Sequence, residues 1–444
     1  MSTAMAPGVP PISGQTASAI ADSVRDLVSR GDLAPGAMLP PIRSLATELR
    51  VNRNTVAAAY RQLVSAGVAQ AGGRRGTTIA EIPDLGAEQL PGADLVDLAS
   101  GNPDPLLLPD LPTALRRAPY RPTLYGAPAV EPHLMAVAER LFDGHLAAGE
   151  AQIVVTHGAV DAVERVLSTC LARGDAVAVE DPCFLASIGT VRLNGYQRIG
   201  VPVDEHGMTV AGLHHAIANG GARAVIVTPR SHNPTGVSID DRRAAQLRSV
   251  LAGYPEVLVI EDDYFSLVSS APYCRVTPES TFNWALVRSV AKFLGPDLRV
   301  AMVATNPQTG QLIGARLRAG KTWVSHLLQA TAAHLLTDAA TVAQLGRARR
   351  TYAKRGRILT EALVNKGISP LGAPDGLNLW IDLPDAETVV ATVARLSQAG
   401  WAVQPGDIFA IDPYHPRHGI RITSATMTGR AATRFAADFA DAVT

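Results

Sequence analysis

The sequence is short of amines. Of 444 residues only four are lysines (Lys292, Lys321, Lys354 and Lys366), so any chemistry that needs a primary amine has four candidates. Cysteine is equally sparse: Cys170, Cys183 and Cys274 are too few and too widely spaced for a disulfide framework or a CxxC metal site. No apolar run approaches the roughly eighteen residues of a membrane span, and no charged-then-apolar leader stands at Met1. A soluble, cytoplasmic protein without a membrane partner is therefore expected. Net charge is missing as well, since forty basic residues balance forty acidic ones, which argues against a protein that coats nucleic acid along its whole surface. With 47% hydrophobic and 18% charged residues the chain is not disordered, and its length calls for two or three units, each with a core.

The charge is unevenly spread. Residues 1–82 hold eight arginines, no lysine and five acids, a net charge of +3 that leaves −3 for the remainder. Residues 81–96 (EIPDLGAEQLPGADLV) carry prolines, glycines and acids without periodicity and read as a linker. Domain bounds of 1–80 and 97–444 follow. In the first unit, Ser13 is a candidate cap for a helix with Ile20, Val24, Leu27 and Val28 on one face, ending at Gly31. Pro41 opens a second helix carrying Ile42, Leu45, Ala46 and Leu49, and Asn52 caps a third that buries Val56, Ala59, Leu63 and Val64. Two short helices joined by Arg50-Val51-Asn52 make a helix-turn-helix, and two strands around GGRRG add a wing.

In such a unit the third helix enters the major groove with its first turn toward the bases. That turn is Asn52, Arg53, Asn54 and Thr55. Arginine pairs with guanine and asparagine with adenine, each worth about 1–3 kcal/mol of discrimination. Arg43, Arg74 and Arg75 would hold phosphates. Charge and helix pattern alone leave open a small protein-interaction domain with solvated arginines. The stretch GDLAPGAMLPPIRSLATELRVNRNTVAAAYRQLVSAGVAQAGGRRGTTI, however, resembles the winged helix-turn-helix of GntR-type bacterial regulators, in which "G-x-L-x-P-G-x-x-L-P", "R-x-L-A" and "R-x-T-V-x-x-A-Y" recur. The resemblance implies double-stranded DNA as partner, read by Arg43, Arg53, Asn54 and Thr55 with the wing at Arg74 to Gly76.

Beyond residue 97, short apolar runs alternate with helical patterns: QIVVTHG, DAVAVE, RAVIVTP, EVLVIEDDY, WALVRSVAK. Runs apolar throughout are strands covered on both faces, so an α/β sheet with ligand loops at strand ends is expected. Gly158 and Ala159 open a helix whose N-terminus suits an anion, although glycine at such a turn is also commonly steric. Asn233-Pro234 is first of all a turn. Glu261, Asp262 and Asp263 follow an apolar strand; either one of them meets a cation or protonated group, or the three make a solvated turn. Lys292 ends another apolar stretch, where desolvation would make it an imine-forming nucleophile. Lys321 and Lys354 lie on polar helical patterns, and Lys366 beside a glycine.

Asn233, Asp262 and Lys292 stand 29 and 30 residues apart at successive strand ends. This order resembles the fold-type I pyridoxal-phosphate enzymes of the aspartate aminotransferase superfamily. The resemblance implies pyridoxal 5'-phosphate as cofactor, an imine to Lys292 within "S-x-x-K", and Asn233 and Tyr264 on the phenolic oxygen. It implies Asp262 on the pyridine nitrogen, with Ser289 and Arg299 on the phosphate beside Gly158 and Ala159. Arg421, in HGIRIT, would grip a substrate carboxylate. Phe184 occupies the place of the ring-stacking aromatic, or is a core side chain. Two departures stand out: Ala291 replaces a small hydroxyl residue, and YGAPAVEPHLM lacks the second glycine and the arginine of the family's pattern around Tyr125, the residue expected to reach a partner's phosphate.

The fusion resembles the MocR subfamily of GntR-type transcription regulators: a mainly α winged helix-turn-helix joined to an α/β fold-type I aminotransferase-like domain. It implies a domain-swapped homodimer whose DNA binding responds to pyridoxal phosphate, an amine or an amino acid. The stretches SVAKFLGPDLRVA and WVSHLLQA resemble members connected with vitamin B6 metabolism. The rival readings are a working aminotransferase with an attached DNA-binding domain, and a DNA-binding protein whose large domain only dimerises.

Overall fold

The computed structural model describes residues 11–66, 68–71, 76–80, 92, 94–146, 149, 151–320, 323–412 and 416–443. The chain divides into two compact units, a small one of Met1–Leu85 and Arg192–Tyr196 and a large one of Gly86–Val191 and Gln197–Thr444.

In the small unit, helices α1 (Ala17–Ser29), α2 (Ile42–Leu49) and α3 (Arg53–Ser65) close on one core. Apolar residues every three or four positions place Ile20, Val24, Leu27, Leu45, Ala46, Val56, Ala59 and Leu63 inside it, with Val28, Leu49 and Val64 partly covered. Thr16 caps α1 by accepting from the Ala19 amide at 3.2 Å. Ser13, the expected cap, instead gives its amide to Ser23 Oγ, and the helix stops at Ser29 with Arg30 as its C-cap, short of Gly31. The tight connection between α2 and α3 works because Arg50 takes a left-handed conformation, φ 56°. Asn52 then caps α3, its Oδ1 accepting from the Asn54 amide at 2.8 Å. The Tyr60 hydroxyl, buried and so raised in pKa above the usual phenol range, donates to the Pro40 carbonyl at 2.7 Å and ties α3 to the turn before α2. Strands β1 (Ala69–Ala71) and β2 (Thr77–Ile79) pair antiparallel. Arg74 and Arg75 of the expected wing lie outside the described residues.

The large unit is built on two sheets. Strand β3 (Val96–Leu98) belongs to the smaller one, ordered β12 (Asn378–Asp382), β14 (Gly419–Thr423), β13 (Trp401–Pro405), β3. Val96 pairs with Trp401, so the linker expected over 81–96 gives way to the sheet at its last residue. The larger sheet has eight strands in the order β4 (Gln152–Thr156), β11 (Ala301–Thr305), β10 (Trp284–Ser289), β9 (Leu258–Asp262), β8 (Ala222–Val227), β5 (Ala176–Asp181), β6 (Gln197–Asp204), β7 (Gly207–Met208). From β10 through β6 all pairs are parallel, while β11 runs against both its neighbours. Every residue of β9 and β10 is buried, as parallel strands covered on both faces require.

The remaining helices are α4 (Leu111–Arg117), α5 (Pro132–Phe142), α6 (Ala159–Cys170), α7 (Leu185–Leu193), α8 (Val210–Ala218), α9 (Asp241–Leu251), α10 (Ala291–Leu294), α11 (Pro307–Ala319), α12 (His326–Thr337), α13 (Ala339–Val364), α14 (Ala386–Gln398) and α15 (Gly429–Val443). None of the helices among the described residues is long and apolar enough to cross a membrane. Two expectations need correcting. Strand β9 runs through Asp262, so Glu261 and Asp262 are strand residues and only Asp263 follows it. Strand β10 ends at Ser289, and Lys292 lies in the single turn of α10 rather than at the strand end.

Candidate functional site

The three consecutive acids have three different fates. Glu261 is buried and accepts from the Tyr273 hydroxyl (2.9 Å), the amides of Val276 (3.2 Å) and Thr277 (3.1 Å) and the Thr277 hydroxyl (2.5 Å); burial still lifts its pKa above the usual range. Asp263 is fully buried against two guanidiniums, accepting from Arg230 Nε and Nη2 at 2.9 and 2.6 Å and from Arg288 Nε at 2.9 Å. Asp262, between them, has neither. Its Oδ1 is buried without a hydrogen-bond partner among the described residues, and burial, then the charges of Asp263 and Glu180, push its pKa up to about 7. A desolvated carboxylate of this kind is stable only if it is protonated or meets a cation. The solvated-turn reading of these acids is thereby excluded.

Asn233, Arg421 and Lys292 converge on one backbone segment. Arg421, in the middle strands of the smaller sheet and fully buried, gives Nη1 to Asn233 Oδ1 at 3.0 Å and Nη2 to the Ala99 carbonyl, and it stacks 4.9 Å over the Phe409 ring. Lys292 Nζ donates to the Gly101 carbonyl at 2.8 Å, and the Gly101 amide bonds Thr423 Oγ1 at 3.2 Å. Residues 99–101 thus link strand β14, the Asn233 loop and the Lys292 turn. The glycine of the Asn-Pro-Thr-Gly turn is required: Gly236 has φ +77°, and a Cβ there would stand 2.0 Å from the Asn378 carbonyl oxygen. Lys292 is half-buried, whereas Lys354 and Lys366 are exposed and Lys321 lies outside the described residues.

Arg299 lies beside Gly158 at the start of α6. Gly158 precedes α6 with φ +91°, and a Cβ on it would come within 3.3 Å of the Arg299 guanidinium, whose Nη2 donates to the His157 carbonyl at 3.1 Å. Arg299 itself is left-handed, φ 49°. Asp161, an acid in the first turn of α6, is occupied by Arg165 Nε and the His157 amide, both at 2.9 Å; these bonds outweigh burial and keep its pKa low. Ser289 is buried, and its Oγ accepts from the Ala291 amide at 3.3 Å, so the residue that departs from the family pattern still engages the serine. The Tyr264 hydroxyl donates to the Ser231 carbonyl at 2.6 Å. Phe184 is half-buried just before α7, and Tyr125 is 88% exposed, its ring 5.6 Å from that of Trp323.

Three participants escaped the sequence reading. Ala99 and Gly101 act through backbone carbonyls, which leave no side-chain signature. Asp375 is buried and accepts from the hydroxyls of Ser231 (2.6 Å), Ser238 (3.1 Å), Ser269 (2.5 Å) and Ser270 (2.7 Å) and from the Ser270 amide (2.8 Å). These bonds overcome its burial and hold its pKa below the usual range. The carboxylate clamps the loops that carry Asn233 and Tyr264 together. No cluster of His, Cys, Asp or Glu among the described residues is suited to a metal ion.

In the small unit, Arg43, the cap residue Asn52 and the α3 residues Arg53 and Asn54 are exposed and Thr55 is half-buried. The Asn52 side chain is spent on its cap, which leaves Arg53 and Asn54 as the outward polar groups of that turn.

Residues 93–439 match the family of class I and II aminotransferases, and residues 16–79 match the gntR family of bacterial regulatory proteins. The vitamin B6 salvage pathway transcriptional repressor PtsJ of Salmonella typhimurium is 47% identical over 437 residues, covering 97% of this chain and 99% of that protein. The HTH-type pyridoxine biosynthesis transcriptional regulator PdxR of Corynebacterium glutamicum is 29% identical, over 84% and 85% of the two chains. Among solved structures, kynurenine aminotransferase from Pyrococcus horikoshii superposes with a TM-score of 0.71 at 20% identity, covering 79% of this chain and 91% of that one, which speaks to fold alone. The chain is a transcriptional regulator of the MocR type, a GntR helix-turn-helix fused to a fold-type I aminotransferase domain.

Proposed function

We propose that this regulator binds its operator under the control of pyridoxal 5'-phosphate held on Lys292. The observation that carries the reading is Asp262 Oδ1, a buried carboxylate oxygen with no partner among the described residues. A pyridinium N–H is the cation such an oxygen lacks. When bound, pyridoxal phosphate supplies an aldehyde that takes up amines and a ring that draws electrons from them.

The chain's own residues then have separate tasks. Lys292 offers its amine from a half-buried turn and serves as the nucleophile toward the aldehyde. Asp262 holds the proton on the ring nitrogen, and burial makes that ion pair strong. Asn233, whose Oδ1 is taken by Arg421, would donate through Nδ2 to the phenolic oxygen, and Tyr264 would turn its hydroxyl from the Ser231 carbonyl to the same oxygen. Ser289, Arg299 and the amides at Gly158 and Ala159 take the phosphate at the N-terminus of α6. Phe184 packs on the ring, and Tyr125, exposed in one chain, completes the phosphate contacts of a partner subunit in a domain-swapped homodimer. Arg421 receives the carboxylate of an amino-acid effector. In the small unit, Arg53, Asn54 and Thr55 read bases, while Arg43, Arg74 and Arg75 hold the DNA backbone.

A ligand switches such a protein only if it binds one arrangement of the dimer more tightly than the other. The names of the two relatives tie those proteins to vitamin B6 salvage and pyridoxine biosynthesis, and on that basis the proposed effector is pyridoxal phosphate itself, with regulation of vitamin B6 metabolism as the output. The visible spectrum tests the cofactor step. Wild type should show an absorption band from the lysine-bound cofactor, and Lys292→Ala should not; a colourless wild type, or a variant that keeps the band, overturns the assignment. Rapid conversion of an amino acid to its keto acid by the same preparation would favour the aminotransferase reading instead.

A further inference from the structure

Consecutive residues of a strand face opposite sides of a sheet, so Arg288 leaves β10 on the face away from Ser289. It enters a cleft of about 590 Å³ that it shares with Arg140, Arg230, Arg349 and His145. None of the residues lining this cleft is one of the cofactor contacts named above. Its charge is out of balance. One buried carboxylate, Asp263, serves both Arg230 and Arg288, and Arg288 is only 2% exposed. The other donors of Arg288 go to the Leu141 carbonyl and, at 3.4 and 3.5 Å, to His145 Nδ1. Burial first, and then the charges of Arg288 and Arg230, lower the pKa of His145, so the ring accepts as a neutral imidazole.

At the rim, Arg140 and Arg349 are exposed and make no hydrogen bond or ion pair among the described residues. Asp143 is the one carboxylate among the described residues that lines the cleft. Four guanidiniums therefore face two carboxylates, counting Asp263 behind the wall. A concave, partly desolvated surplus of positive charge draws anions, and planar guanidinium forks match oxyanions rather than halides. The volume is that of a small-molecule site.

We propose that this cleft is a second ligand site, separate from the cofactor pocket, for a small molecule carrying a dianionic oxyanion group, either a phosphate or a pair of carboxylates. Its walls adjoin the cofactor residues through the backbone. Arg230 opens the loop that carries Asn233, Asp263 follows Asp262, and Ser269 and Ser270 reach Asp375, which also holds Ser231. A ligand that recruits Arg230 and Arg288 acts on the partners of Asp263 and gives the regulator a second input.

Calorimetric titration of the full-length protein, saturated with pyridoxal phosphate, tests this with inorganic phosphate and malonate as probes and chloride at matched ionic strength as control. Wild type should bind phosphate or malonate saturably, and the tighter of the two identifies the class. The double variant Arg140→Gln/Arg349→Gln, altered only at exposed rim positions, should bind it at least tenfold more weakly. Absence of saturable binding, equal affinity in the variant, or equal heats from chloride would each overturn the proposal. The visible band of the cofactor should be the same in both proteins, so failure here and failure of the cofactor assignment give different results.

Discussion

The DNA-reading head of this chain and its proposed cofactor site are built on opposite principles. At the start of α3, the side chains of Arg53 and Asn54 stand in solvent and make no hydrogen bond or ion pair among the described residues, on a helix anchored by Val56, Ala59 and Leu63 beneath. At the ends of β8, β9 and β10 the polar groups are buried and held: Asn233 by Arg421, Arg421 by Ala99, and the loops by Asp375. DNA is a large polyanion that meets long side chains in water, so the head needs a rigid helix and free arginines. A small aromatic cofactor needs desolvated groups already in place, because a buried charge is strong only where water cannot compete. The lone arginine chemistry of the head and the single placed amine of the body express that division.

Substitutions sharpen this contrast, beginning with the largest effect. Lys292→Ala should abolish the cofactor band completely while leaving DNA affinity in the absence of cofactor unchanged, as read by absorbance and fluorescence anisotropy. Leu63→Ala removes a fully buried side chain from the core of the head and should destabilise that unit by about 2–5 kcal/mol, seen in thermal unfolding, with the band retained. Arg53→Ala should cost about 1–3 kcal/mol of specific DNA binding, relax the preference at one base pair and leave the spectrum alone.

Asp262 gives a test in pH. Its folded pKa of about 7 lies above the ordinary aspartate value of 3.8, so between those values the folded state binds more protons than the unfolded one. Stability of the cofactor-free protein attributable to this group is therefore greatest at low pH and is lost as pH rises toward and through 7. Denaturant melts of wild type should decline across that window more steeply than those of Asp262→Asn, and parallel profiles would contradict the burial argument. The smallest effect belongs to the cap: Asn52→Ala should cost about 1 kcal/mol in the head through loss of the bond to the Asn54 amide.

Much of this was legible in the sequence, and the exceptions have physical causes. Helices with strong three-to-four periodicity were readable, but the start of α1 was displaced because Thr16 is as good a cap as Ser13 and its hydroxyl is the one within reach of a free amide. The apolar runs located β8, β9 and β10, yet β9 extends over Glu261 and Asp262 because strand pairing continues through charged residues when a partner strand is in register. Spacing brought Asn233 and Lys292 to one side of the molecule. It could not disclose Gly101 or Ala99, whose carbonyls carry no residue signature, nor Asp375, an isolated acid whose role depends on serines more than a hundred positions away in the chain.

The central claim is that the buried site governs the exposed one. Operator duplexes selected in vitro from random sequence, titrated against wild type and Lys292→Ala with and without pyridoxal phosphate at one fixed salt concentration, test it most directly. The account predicts that the cofactor changes the affinity or footprint of wild type and leaves the variant unmoved. Identical binding by wild type in the presence and absence of pyridoxal phosphate would contradict it.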